Sequence, residues 1–88
     1  MSARIAEMKS RLAALEPVAL DIIDESHKHA GHAGARDGGG HYVLHIRSSH
    51  FAGKNTVARH RMIYSALGEM MKREIHALTI TASTPDEI

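Results

Sequence analysis

Apolar residues recur along this chain with two periods, and the switches between them predict five elements. Ile5, Met8, Leu12 and Leu15 step by three, four and three, the stripe of an amphipathic helix, with Ser2 suited to cap its start and Pro17 to stop it. Val18, Leu20 and Ile22 then alternate with Ala19, Asp21 and Ile23, a period-two strand with one buried face. Tyr42, Leu44 and Ile46 alternate with Val43, His45 and Arg47 in a second strand. Between these strands, residues 26–40 hold five glycines and predict a long mobile loop. Residues 48–55 form a connection containing Phe51 and Gly53. Asn55 or Thr56 caps a long helix running to about residue 73, with Ile63, Leu67, Met70 and Met71 on its buried side and Lys72 and Arg73 suiting its C-terminal dipole. Leu78 and Ile80 alternate with Thr79 and Thr81 in a third strand, and Pro85 begins the tail.

The order is therefore helix, strand, strand, helix, strand. The first two strands should pair antiparallel through the glycine-rich loop. A helical crossover between the second and third should set those two parallel and right-handed. Three strands with two helices on one face make a two-layer α+β domain, and residues 1–88 hold one such domain without a repeat.

Composition changes this picture chiefly through its histidines. The 88 residues contain eight of them and no cysteine. No disulfide framework is possible, so packing or a partner must stabilise so small a domain. The N-terminal stretch mixes Arg4, Glu7, Lys9 and Arg11 with its apolar residues, unlike a signal peptide or a membrane span, so a soluble cytoplasmic protein is the expectation. A formal net charge of +1 with neutral histidines excludes a polycation built for nucleic acid. Arg59, Arg61, Lys72 and Arg73 nonetheless share one segment, and Asp21, Asp24 and Glu25 another.

Neutral imidazole is a common metal ligand, and a chain with nitrogen donors but no thiolate can hold an iron–sulfur centre only by sharing it with a sulfur-bearing partner. His27, His29 and His32 lie in the predicted loop, at a spacing that is not that of a zinc finger; a solvated loop with idle histidines is the plain alternative. His76 falls where the long helix gives way to the last strand, placed either to emerge as a donor or to bond a free carbonyl. His60 shares a helical face with Ile63, Tyr64 and Leu67 and is expected to be packed and hydrogen-bonded. Lys54, Arg59 and Arg61 stand at the start of that helix, where they would meet phosphates or form surface ion pairs. The G-x-x-G pattern at 31–34 lies between strands, whereas the RNA-binding clamp of that pattern lies between helices. No spaced nucleophile–histidine–acid set and no phosphate loop is present, so the expectation is that the chain is not an enzyme.

The string Asp24-Glu25-Ser26-His27-Lys28-His29, with Phe51-Ala52-Gly53, Arg59-His60-Arg61-Met62-Ile63-Tyr64 and Ile75-His76-Ala77-Leu78, resembles the BolA family across nearly the whole chain. The resemblance implies a fold like a class II KH domain without its G-x-x-G clamp. It also implies a monothiol glutaredoxin partner and a [2Fe-2S] cluster bridging the two proteins, with the glutaredoxin cysteine and glutathione supplying sulfur. The family's principal histidine falls on His76, and its loop-borne ligand on His29, with His27 and His32 as substitutes. No cofactor is then expected in the isolated chain, which would be a monomer or weak dimer. The family's other attributed role, DNA-binding transcription regulation, would rest on Lys54, Arg59 and Arg61. Here the loop departs from many relatives, reading Gly34-Ala35-Arg36-Asp37-Gly38-Gly39-Gly40 where they carry proline and serine.

Overall fold

A computed structural model describes residues 3–26 and 40–87 of the chain. Helix α1 (Ala3–Leu12) continues into a 3-10 turn at Ala13–Leu15; strands β1 (Ala19–Asp24) and β2 (Gly40–Arg47) follow, then a 3-10 turn at Ser49–Phe51, helix α2 (Thr56–Leu67), a 3-10 segment at Gly68–Lys72 and strand β3 (Ile75–Ser83). The sheet order is β1-β2-β3, with β1 and β2 antiparallel and β2 and β3 parallel, as the pattern predicts. Met8 and Leu12 of α1, Ile63 and Leu67 of α2, and Tyr42, Leu44 and Ile46 of β2 meet in one apolar core. The other sides of the strands present Asp21, His45, Thr79 and Thr81 away from that core, exposed. Both helices thus cover one face of a mixed sheet.

Four expectations about the elements need correcting. The first helix gives up its α geometry at Leu12, and the chain turns at Glu16, whose φ of 49° puts a non-glycine residue in the left-handed region just before Pro17. Val18 lies outside β1 and is 68% exposed. Its N–H still bonds the Arg47 carbonyl at 2.8 Å, but it contributes nothing to the buried core. The second helix stops at Leu67 rather than near Arg73, because Gly68 adopts φ 57°, ψ −126°, a conformation that a side chain disfavours. Lys72 and Arg73 therefore follow the helix and do not sit on its terminus. Finally, β3 begins at Ile75, so His76 lies inside the strand.

The helix ends are closed by named groups. The Asn55 side chain accepts the Ala58 N–H at 2.8 Å, the N-cap of α2. At the other end, the Gly68 N–H bonds the Tyr64 carbonyl, and the Arg11 guanidinium of α1 donates to the Leu67 carbonyl at 3.0 Å. Phe51 belongs to the core and is fully buried, although its segment is a mere connection in the sequence pattern. Beside it, buried Ser48 donates its hydroxyl to the Leu15 carbonyl and accepts the His50 N–H, joining the connection to the end of the first helix.

Candidate functional site

The first ends of β2 and β3 and the last end of β1 share one rim of the sheet. In the ladder, Gly40 is level with Ile75, but His41 is level with Ala77. Strand β3 thus advances two residues while β2 advances one, and the extra residue is His76. A bulge of this kind re-aims a side chain and raises the local twist, and it is uncommon in parallel pairs. Its effect is to put His76 in an exposed position on the uncovered side of the sheet. The His76 ring makes no hydrogen bond among the described residues, so the alternative of an imidazole tied to a free carbonyl does not hold there. Nor is His76 next to a helix terminus in the chain, since α2 ends at Leu67.

The ring beside it belongs to His41. The two imidazole centroids are 5.1 Å apart with their planes at 43°. His41 is held in place through its backbone: its N–H donates to the Ser26 hydroxyl at 3.1 Å, and its carbonyl accepts the Glu25 N–H at 2.8 Å. Ser26 is itself fixed by donating its N–H to the Asp24 carboxylate at 2.8 Å. Gly40 is required immediately before His41. A Cβ there would lie 2.6 Å from the buried Tyr42 ring, closer than carbon atoms pack. The parity of β2 carries the signal for His41: with Tyr42, Leu44 and Ile46 inward, His41 must face outward at the start of the strand parallel to the one carrying His76. Composition places His41 beside the glycine-rich loop, but motif spacing does not bring it to His76.

His27, His29 and His32, and the G-x-x-G pattern, lie outside the described residues. The described residues that flank them, Ser26 and Gly40, both lie at the rim where His41 and His76 meet. Among the described residues, no three histidine, cysteine, aspartate or glutamate side chains gather in a metal-holding group. His45 lies on the same open side but pairs with Asp21 and Thr81, further along the ladder. His60 is half-buried against Tyr64, edge to face at 6.3 Å, and makes no hydrogen bond among the described residues; it is packed as expected but not bonded.

The basic set at the start of α2 is divided. Arg59 is only 14% exposed and forks onto the Glu87 carboxylate at 2.7 and 3.0 Å. It also donates to the Ala82 and Lys54 carbonyls at 3.0 and 2.8 Å. The hydrogen bond from Arg59, reinforced by the Thr84 N–H, holds the Glu87 carboxyl at about 2, and the same ion pair raises the Arg59 guanidinium. Arg59 is thus a strut between α2 and the tail. Lys54 and Arg61 are exposed.

A family model described as BolA-like protein matches residues 12–87. SufE-like protein 1, chloroplastic/mitochondrial, of Arabidopsis thaliana is 47% identical over 79 residues, covering 84% of this chain and 21% of that protein. Protein BOLA1, chloroplastic, of the same plant is 43% identical over 88 residues, covering 96% and 55%. This chain therefore spans less than two thirds of the length of either. The DNA-binding transcriptional regulator BolA of Escherichia coli (strain K12) is 39% identical over 75 residues, covering 85% and 69%. Among solved structures, the BolA domain of SufE1 from Arabidopsis thaliana superposes with a TM-score of 0.86 at 40% identity, covering 100% of this chain and 99% of that one.

Proposed function

The chain belongs to the BolA-like family, and from that membership we propose that it is a non-catalytic adaptor that pairs with a monothiol glutaredoxin and shares a [2Fe-2S] cluster with it, in cluster trafficking or iron regulation. The observation that carries this reading is the exposed imidazole of His76, without a hydrogen bond among the described residues and presented at a bulge on the uncovered side of the sheet. The donor set fits a shared centre. This chain offers nitrogen and no thiolate, so sulfur ligands must come from the glutaredoxin cysteine and glutathione. Imidazoles in place of two thiolates have a Rieske precedent, and a bound cluster of that type supplies one-electron chemistry at a raised potential. In this proposal His76 is the fixed ligand, held by β3. His29 is the second, with His27 or His32 as substitutes, in the stretch between Ser26 and Gly40, both of which lie at the same rim. The cytoplasm is the proposed compartment; the chloroplastic and mitochondrial designations belong to the plant relatives.

The test is a titration of the chain into a monothiol glutaredoxin carrying its cluster, followed by visible circular dichroism. A spectral change that His76→Ala abolishes, and that Arg61→Ala with Lys54→Ala leaves intact, is expected. An unchanged response in His76→Ala would refute the ligand role.

A second reading, a DNA-binding regulator, is favoured by the 39% identity to the Escherichia coli regulator. Its residues would be Lys54, Arg59 and Arg61. The Glu87 fork on Arg59 weighs against it, because phosphate would have to displace a bidentate internal carboxylate. That reading expects Arg61→Ala and Lys54→Ala to weaken DNA binding and flatten its salt dependence, with His76→Ala silent.

A further inference from the structure

His41 and His76 stand on strands separated in sequence by all of α2, yet their ring centroids lie 5.1 Å apart. A tetrahedral ion bound through one nitrogen of each imidazole, with bonds of about 2.0 Å, also sets the ring centres roughly 5 Å apart. The interplanar angle of 43° is neither the parallel offset stack nor the perpendicular edge-to-face contact that ring attraction favours. The His41 backbone is held by Glu25 and Ser26, and Ile75 and Ala77 on either side of His76 are paired in the ladder, so folding has brought the two strand positions together before any ion arrives.

We propose that His41 and His76 form a bidentate site, present in the chain on its own, for a borderline divalent transition-metal ion of the zinc type. Two neutral imidazoles suit such an ion in donor type, and the exposed rim leaves its remaining coordination positions to water or to donors of a docked protein. With no third ligating side chain gathered among the described residues, the site is open and exchangeable rather than structural. It does not depend on a glutaredoxin or on a cluster.

The test uses the full chain and zinc chloride in a buffer without competing ligands. Calorimetry gives the affinity, and nitrogen-detected imidazole spectra identify the rings that bind. Zinc should shift the His41 and His76 rings together. His41→Ala and His76→Ala should each weaken binding at least roughly tenfold, and combining them should add little. A chain with His27→Ala, His29→Ala and His32→Ala together should keep the site. Loss of binding in that triple variant, survival of binding in the His41→Ala and His76→Ala double variant, or ring shifts confined to other histidines would each overturn the proposal. The ring shifts are read in the unaltered chain, so a variant that folds poorly leaves the outcome decidable. Because no partner protein is present, a negative result here leaves the adaptor reading standing, and a failed glutaredoxin titration leaves this site standing.

Discussion

Single side chains hold this fold together at points that composition does not reveal. Arg59, followed by the Thr84 N–H, draws the Glu87 carboxyl from its ordinary 4.5 to about 2. Its folded value lies below its unfolded one, so the tail contact contributes fully above about pH 4.5 and is lost as pH falls towards 2. Amide spectra recorded through that window should show Thr84 losing its hydrogen bond, and Glu87→Gln should loosen the tail at neutral pH. Ser48 is completely buried and serves the Leu15 carbonyl. Ser48→Ala should cost about 1–3 kcal/mol in urea unfolding, the range for a buried acceptor left unpaired. The residues resembling the family were legible as a set, but the partner of Arg59 was not: its acceptor lies in the tail, and no local spacing announces it.

At the level of elements, the strands were the most legible part, because period-two alternation in β2 maps directly onto one buried face. Helix α2 was overextended in the sequence pattern because Met70 keeps helical spacing with Ile63 and Leu67, and Met70 is indeed buried. Its burial is achieved from a 3-10 segment after a glycine turn, and the glycine itself was the overlooked stop signal. Gly68→Ala should therefore destabilise by about 1–3 kcal/mol, since its φ of 57° and ψ of −126° are costly for any residue with a Cβ. The added methyl would also press the Arg11 guanidinium, 3.2 Å away, that caps α2. The bulge at His76 was not legible at all. Register between parallel strands depends on where a distant strand begins, and no pattern within residues 75–83 records it.

For the molecule as a whole, one core serves every element, so damage anywhere in it should reach the rim. Phe51 was missed as a core residue because an irregular connection has no periodicity to betray burial. Phe51→Ala should cost about 3–5 kcal/mol, and Leu44→Ala about 2–5 kcal/mol, in denaturant unfolding. Against a total of about 5–15 kcal/mol for a typical domain, either loss leaves little reserve. The described residues contain no helix long and apolar enough to cross a membrane. Fold class and strand order followed from the sequence, whereas the pairing of His41 with His76 needed the assembled sheet.

The hairpin joining β1 to β2 has one more implication. Asp24 faces Tyr42, and the Glu25 N–H reaches the His41 carbonyl, so the last rungs close before residue 27 is reached. The intervening stretch can then be excised and replaced by a tight Asn-Gly reversal without unzipping the sheet. Such a minimal version would discard His27, His29 and His32 in one operation while sparing His41 and His76, so that the contribution of the sheet could be read without that of the loop.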